Sequence, residues 1–429
     1  MQNLKMVQNN TNSLPLKEVV DFSLGGDWGK NPDEKLLDYV KVKVVRGTEF
    51  ANWWKHKANT AALRQIKKSS FEKRQLKSGD LVVEVSGGGP NQPVGRVVAI
   101  DDDVIANSDY PLVCSNFFRQ IRLKKGYVTG FVRLSIYFDY LSGKLDHYQT
   151  SSTNLRNLNF NDFLLNIEIP VLPKEEQELV ANKLENAINT INLTKVKLTK
   201  VRILIKKFRQ AILSAAVTGK LTEDWHNENN ATNWNPKKLK DVCLIITDGD
   251  HQAPPKSISG IPFIVISDVN RGELNLETKR HVPKEYYENL KSSRQPQKGD
   301  VLYTVVGSFG IAVLVDTEDK FVFQRHIALL RPSSDILSDY LFYLLKSKVV
   351  FNQASEVATG TAQLTVPLSG LRNIEIDLPS IEEQQIIVKK IQQYFDVANQ
   401  VEKQIEKAEK RVGKLTQAIL AKTFRVQEV

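Results

Sequence analysis

The chain has 429 residues, with 59 basic against 49 acidic side chains and a formal charge of +10. Its composition, 41% apolar and 25% charged, is that of globular protein and excludes disorder along the whole length. At about 150 residues per domain, two to four domains are expected.

Cys114 and Cys243 are too few for a disulfide framework or a cysteine zinc site, and the six histidines show no metalloprotease spacing. The opening MQNLKMVQNN lacks a hydrophobic segment of signal-peptide type. The most apolar-leaning stretch, Val301 to Val315, is interrupted by Thr304, Gly307, Ser308 and Gly310 and is too short for a membrane span. The expectation is a cytoplasmic protein without membrane contact.

In chain order, Leu16-Lys17-Glu18-Val19 is followed by a strand-like stretch at Tyr39–Val45. The basic residues concentrate between Lys41 and Lys77, eleven of them against only Glu49 and Glu72, with Trp53, Trp54 and His56 interleaved. Cations in that density release counterions from phosphates, and arginine can read base edges, so the segment points to nucleic acid. For any single lysine a solvated surface role competes, and the tryptophans suit a core equally well. Lys77-Ser78-Gly79-Asp80 then opens the apolar run Leu81–Val85 and a glycine-rich turn, and Gly95–Ile100 is again strand-like.

From Asn166 the sequence repeats at a fixed offset of 207: Asn166-Ile167-Glu168-Ile169 returns at Asn373–Ile376, Glu175-Glu176-Gln177 at Glu382–Gln384, and Gln210–Leu213 at Gln417–Leu420. Both copies carry residues at alternating spacings of four and three that are apolar except for Thr194 in the first and Lys422 in the second. The first runs through Val180, Leu184, Ala187, Ile191, Thr194, Leu198, Val201, Ile205, Phe208, Ile212 and Ala215. The second runs from Ile387 and Ile391 through Tyr394, Ala398, Val401, Ile405, Ala408, Val412, Leu415 and Ile419 to Lys422. This is a coiled-coil seam, with acids in each first turn suiting the helix dipole. Thirty-six residues make a helix of about 54 Å, and the two helices are expected to pair within the chain in antiparallel fashion.

Thr222–Pro236 is polar and helix-poor and reads as the linker into the second domain. After it, Leu239–Val242 echoes Leu16–Val19, and Gln297-Lys298-Gly299-Asp300-Val301 echoes Lys77–Leu81. Strand-like stretches lie at Ile261–Ile266 and Phe321–Leu330. The fold class is therefore mixed α/β (α+β), with domains at 1–171 and 222–371 and helical segments at 172–221 and 372–429.

Catalytic motifs are missing: Gly219-Lys220 lacks the rest of a P-loop, no GxSxG elbow occurs, and Asn31-Pro32-Asp33-Glu34 is not an Asn/Asp-Pro-Pro-Tyr methyltransferase motif. Candidate DNA contacts in the first domain are Lys30, Arg46, Lys55, His56, Lys57, Arg64, Lys67, Lys68, Ser86 and Gln92. In the second they are His251, Lys256, Arg271, Ser308, Arg325 and Gln363, in or beside loops rich in Gly, Pro and Ser. For Arg325 and His326 a satisfied structural pair remains equally open. Two rivals stand beside DNA reading: a non-catalytic coiled-coil scaffold, and a nuclease using Asp80 or Asp300 at the glycine turns. Turn chemistry fits those two aspartates better.

The arrangement resembles the specificity subunit of type I restriction–modification systems over essentially the whole chain. NIEIPVLPKEEQELV (166–180) and NIEIDLPSIEEQQII (373–387) carry the resemblance most strongly. It is supported by the helix endings RQAILSAAVTGKL and TQAILAKTF, and by IPFIVISDVNRGEL, KGDVLYTVVGSFG and ATGTAQLTVPLSGL. The first domain departs most, with SGGGP in place of GSFG. The resemblance implies two target recognition domains, each reading half of a bipartite double-stranded DNA site, spaced by the helical pair. It implies no cofactor on this chain. S-adenosylmethionine would sit on two modification (methyltransferase) subunits, and ATP and magnesium on restriction (motor–nuclease) subunits, in a host-defence complex.

Overall fold

The computed structural model describes residues 12–88, 92–152, 155–229, 233–270 and 272–424. The chain is mixed α and β and divides into two compact units, Met1–Leu198 with Lys407–Val429, and Thr199–Glu406. The expected repeat helices form as Lys174–Val217 (central helix) and Ile381–Phe424 (C-terminal helix), 44 residues each. Each unit holds one stretch of both. Among the described residues no helix is long and apolar enough to cross a membrane.

The first unit has β1 (Val20–Gly25), β2 (Tyr39–Val45), β3 (Ala62–Lys67), β4 (Asp80–Glu84), β5 (Val97–Ala99), β6 (Leu112–Cys114) and β7 (Phe118–Leu123). One antiparallel sheet runs β1-β7-β4-β5, and a smaller one runs β3-β2-β6 with β2 and β6 parallel. In β2 the β-branched Val42 and Val44 are fully buried while Lys41 lies exposed, the period of two expected of a half-buried strand.

The second unit repeats this strand for strand with β8 (Cys243–Asp248), β9 (Ile261–Ile264), β10 (His281–Val282), β11 (Val301–Thr304), β12 (Ala312–Leu314), β13 (Val322–Phe323) and β14 (Ile327–Pro332). Its sheets run β8-β14-β11-β12 and β10-β9-β13, with β9 and β13 parallel. The loose sequence echoes thus mark one topology used twice.

In each unit the same aspartate ties the sheet together. Asp80 is fully buried and takes Arg122 Nε and Nη2 at 2.8 and 2.9 Å, and Asp300 takes the same atoms of Arg331, both at 2.8 Å. The turns ahead of them close alike, Lys77 N–H donating to Asp80 at 2.7 Å and Gln297 N–H to Asp300 at 2.8 Å. Gly79 and Gly299 allow this at φ of 91° and 92°, where a side chain would be strained.

The glutamines of the repeated Glu-Glu-Gln anchor the helices. Gln177 Oε1 accepts from Val128 N–H at 2.9 Å, and its Nε2 donates to Leu172 O at 2.8 Å. Gln384 accepts from Leu337 N–H at 2.8 Å and donates to the carbonyls of Asp335 and Pro379. Both side chains are buried, so each fixes its helix start against the adjoining helix of its own unit.

Three expectations are corrected. The run Phe321–Leu330 is not one strand. β13 pairs in the small sheet and β14 in the large one, so the chain must cross between sheets at Gln324–His326. The polar stretch after the central helix is not helix-poor: it contains the helix Glu223–Glu228, and it is pinned to the C-terminal helix. The buried Glu383 carboxylate accepts from Thr222 Oγ1 at 2.7 Å and Trp234 Nε1 at 2.9 Å, and lies 3.3 Å from His226 Nδ1. Residues 230–232 of that stretch lie outside the described residues.

The seam is also narrower than two positions per heptad. Ile391, Ala398, Ile405 and Val412 are buried at a spacing of seven, whereas Tyr394, Val401 and Leu415 are 39–42% exposed. Near the end of the central helix Leu213, Ala216 and Val217 are buried rather than Ile212 and Ala215, because there the helix packs on the core of the second unit. Within that unit the helices run antiparallel. Phe208 meets Tyr394 edge-on at 6.1 Å, Arg209 bonds Asn399 and Glu402 at 2.7 Å, and further along Lys390 reaches Leu221 O at 3.0 Å. In the first unit Val180 and Leu184 share a core with Leu420 and Phe424.

Candidate nucleic-acid interface

The register decides which loops meet. In the large sheet of the second unit Asp248 lies opposite Ala328, and Thr304 opposite Ile327. The ends of β8 and β11 and the start of β14 therefore share one edge. Three loops gather there: Gly249–Lys256, Val305–Gly310 and Gln324–His326. The hairpin around Gln363 joins them, since Gly307 N–H donates to Leu364 O at 2.8 Å. His251, Lys256, Ser308, Arg325 and Gln363, far apart in sequence, are thus drawn to one end of the unit. Arg271 lies outside the described residues.

The loops are held close. A Cβ on Gly249 would fall 2.1 Å from Phe323 O, and one on Gly26 in the first unit 2.1 Å from Cys114 O. Only glycine permits the chain to pass the crossover at that distance.

Beneath the second-unit loops lies a cavity of about 630 Å³ whose lining includes Lys256, Lys279, Arg280, His281 and Arg325. Lys279, Arg280 and His281 were missed by the sequence reading. They sit on and before a two-residue strand with no loop signature, and only pairing with β9 brings them to the cavity. Asp250 on the rim is already engaged by the Tyr286 hydroxyl at 3.0 Å and Arg294 at 3.4 Å. Burial opposes its ionisation, but the Gln252 N–H, Tyr286 and Arg294 outweigh this and lower its pKa. The Tyr286 hydroxyl is pushed up to about 12 by burial and by donating to Asp250.

Arg325 and His326 do not form a mutually satisfied pair. Arg325 is exposed without an ion-pair partner among the described residues, and burial together with the Arg325 charge lowers the pKa of His326. His251 is exposed, with Nε2 3.1 Å from Asp248.

In the first unit Gly25 lies opposite Arg119 and Glu84 opposite Phe118, so the equivalent edge collects Gly26–Lys30, Ser86 and Ser115–Phe117. Arg46 joins them, because it follows Val45, whose carbonyl accepts from Ser115 N–H at 2.9 Å. Ser86 Oγ bonds Asn157 at 2.6 Å, and Gln92 is exposed.

The basic stretch itself is not one patch. Lys43 pairs with Asp109 at 3.2 Å, Lys57 with Asp101 at 2.8 Å, and Arg46 lies 3.6 Å from Glu49. Arg64 stacks on Trp28 at 4.8 Å and donates to the Trp28 carbonyl. Lys67 and Lys68 stand at the far end of β3, where Lys67 lies opposite Tyr39. Lys30, Lys55 and His56 are exposed. Trp53 packs against the core beside Phe50.

Comparison with known proteins places this geometry. The type I restriction modification DNA specificity domain matches the chain twice, over residues 10–202 and 231–409. The EcoKI specificity subunit of Escherichia coli strain K12 is 27% identical, over 96% of this chain and 88% of that protein. The EcoBI specificity subunit of E. coli is 32% identical, over 64% of this chain and 61% of that protein. The HsdS subunit from Thermoanaerobacter tengcongensis has the same fold, with a TM-score of 0.59 at 19% identity and 97% of both chains covered. A chain solved in work on complex assembly and conformational transition of the type I R-M system aligns with a TM-score of 0.64 at 18% identity over 99% of both. The chain belongs to the type I restriction–modification DNA specificity family, with the domain present in two copies.

Proposed function

We propose that this chain is the sequence-reading subunit of a type I restriction–modification complex and carries no catalysis of its own. Residues 1–171 and 222–371 act as target recognition domains, each taking one half of a split double-stranded DNA site. The segments 172–221 and 372–429 set the spacing. The observation that carries the reading is the duplication itself: two units of one topology, each gathering three loops and its own cations at the same sheet edge. Phosphates would be neutralised by Lys30, Lys55 and Lys256, while Lys67 and Lys68, at the far end of β3, could reach phosphates only beyond the half-site. Base edges would be read by Arg46, Arg64, Ser86, Gln92, His251, Ser308, Arg325 and Gln363, and His56, Lys57 and Arg271 would add contacts to the same DNA.

The partners are two methyltransferase subunits, which hold S-adenosylmethionine, and motor–nuclease subunits that use ATP and magnesium. An apolar strip supports docking of partner protein on the helices. In the second unit Leu204, Phe208, Tyr394, Val397 and Val401 are 38–59% exposed on two helices in contact, a surface that water disfavours. The nuclease alternative loses its chemistry, since Asp80 and Asp300 are buried in bidentate arginine pairs.

The test is a genome-wide map of modified adenines in cells co-expressing the chain with its methyltransferase, against cells lacking the chain. A split motif seen only with the chain, one half of which changes when residues 1–170 are exchanged, is expected. Methylation that ignores the chain, with the partner active and bound, would overturn the reading.

A further inference from the structure

Two large aliphatic side chains stand almost wholly in solvent: Leu37, 94% exposed, and Ile258, fully exposed. They occupy the same place in the duplicated topology. Leu37 lies on the loop joining β1 to β2, and Ile258 on the loop joining β8 to β9. A single exposed aliphatic side chain is ordinary on a protein surface, but here two stand at matching places, each held in position by its neighbours.

Neither tip belongs to a loose loop. In the first unit Gln65, 5% exposed, donates through Nε2 to the carbonyls of Asn31 and Glu34 at 2.7 and 2.8 Å. Lys68 N–H donates to Asp38 O at 2.9 Å, on the other side of Leu37. In the second unit Ser257 N–H donates to His281 O at 2.9 Å and Ser257 Oγ to Ser259 O at 2.6 Å, bracketing Ile258. Gly260 then passes so close to the next strand that a Cβ would lie 2.5 Å from Val282 O. Each tip is fixed in a set position by its neighbours.

The surroundings of Ile258 identify the occupant. Ser257 beside it lines the cavity that also holds Lys256, Lys279, Arg280 and Arg325. The acid on that rim, Asp250, is already held by Tyr286 and Arg294. A fixed aliphatic tip beside a cationic hollow fits a polyanion with stacked apolar faces. Protein side chains of this kind insert between base steps and unstack them, while neighbouring cations take the phosphates.

We propose that Ile258 is an apolar wedge that enters the base stack of the second half-site, and that Leu37 has the same role in the first. This deepens the reading of the chain as a DNA specificity subunit and rests on it.

The experiment uses the full chain assembled with its methyltransferase subunits. Selection from random-sequence duplexes first defines the bound motif, and duplexes with 2-aminopurine at successive positions of each half-site then report unstacking. The wild-type complex is expected to raise fluorescence at one step of each half-site. Ile258→Ser should abolish the rise in the second half-site alone and weaken binding about tenfold, with the salt slope kept. Leu37→Ser should do the same in the first. Both residues are exposed, so the variants should fold, and co-purification of the methyltransferase verifies assembly. No rise at any position, or an unchanged rise in the variants, overturns the wedge. Loss of the methyltransferase from an otherwise folded variant overturns it in favour of a protein contact. Recovery of no motif by the wild-type complex would instead remove the specificity reading itself.

Discussion

Gln384 Oε1 accepts the backbone N–H of Leu337 at 2.8 Å, the residue that opens the helix Ser338–Leu345. Its amide nitrogen donates to two carbonyls, so one buried side chain satisfies three backbone groups that would otherwise be orphaned at a helix–helix junction. Gln177 performs the same task for Val128. Replacing either by alanine should cost about 1–3 kcal/mol, because the backbone groups stay buried without partners. Urea midpoints of the two single variants check this, and an unchanged midpoint would contradict the anchoring role.

Asp300→Ala should be more damaging than most surface changes, on the order of 3–5 kcal/mol, since it strands the Arg331 guanidinium that now bonds it twice at 2.8 Å. Asp80→Ala should act in the same way through Arg122. Thermal unfolding of each variant measures the loss. Unimpaired stability would reopen a functional role for these carboxylates.

Asp139 is buried near Lys144, and burial raises its pKa from 3.8 to about 6 against the pull of that lysine. Because the folded state holds the proton more tightly, stability is fully present below about pH 4. It falls as the pH rises through 6, then levels. Asp139→Asn removes the titration. The stability slope between pH 4 and 6 should flatten, with a difference of about 3 kcal/mol at neutral pH relative to acid. Equal slopes in wild type and variant would show that Asp139 does not carry this dependence.

Lys256→Gln should weaken DNA binding alike across sequences and lower the salt slope by about one, as loss of one phosphate contact does. Arg325→Gln should relax preference at a base position by about 1–3 kcal/mol with a smaller effect on the slope. Binding of the assembled complex at several salt concentrations separates the two. An altered motif with Lys256→Gln would reverse their assignment.

Removing one heptad in register from both long helices should move the half-sites together by about 10 Å, or roughly 3 base pairs. The methylated motif reads this directly. A folded deletion that kept the original spacing would refute the helices as a ruler. On the helix surface, Phe208→Ser with Val397→Glu should release the methyltransferase while leaving helicity intact. Retained co-purification would show that docking lies elsewhere.

The duplication, the two long helices and the Gly-Asp turns could all be read from the amino-acid order. These features are written in local spacing: an offset of 207 without a gap, heptad periodicity, and Gly79 and Gly299 where the turn needs positive φ. The strand Tyr39–Val45 was legible to the residue because valines alternate with lysines across a half-buried face.

The remaining features depend on pairing between residues distant in sequence. Whether Phe321–Leu330 is one strand or two is set by which sheet offers each half a partner, and no local propensity encodes that. The fate of each cation was likewise nonlocal. Lys57 meets Asp101 and Lys43 meets Asp109, whereas Arg325 meets no counter-charge among the described residues, and all three look alike in sequence. The seam looked two positions wide because apolar spacing records which residues can be buried. Only the neighbours that are present decide which ones are, and Tyr394, although Phe208 meets its ring, and Val401 remain 42% and 39% exposed.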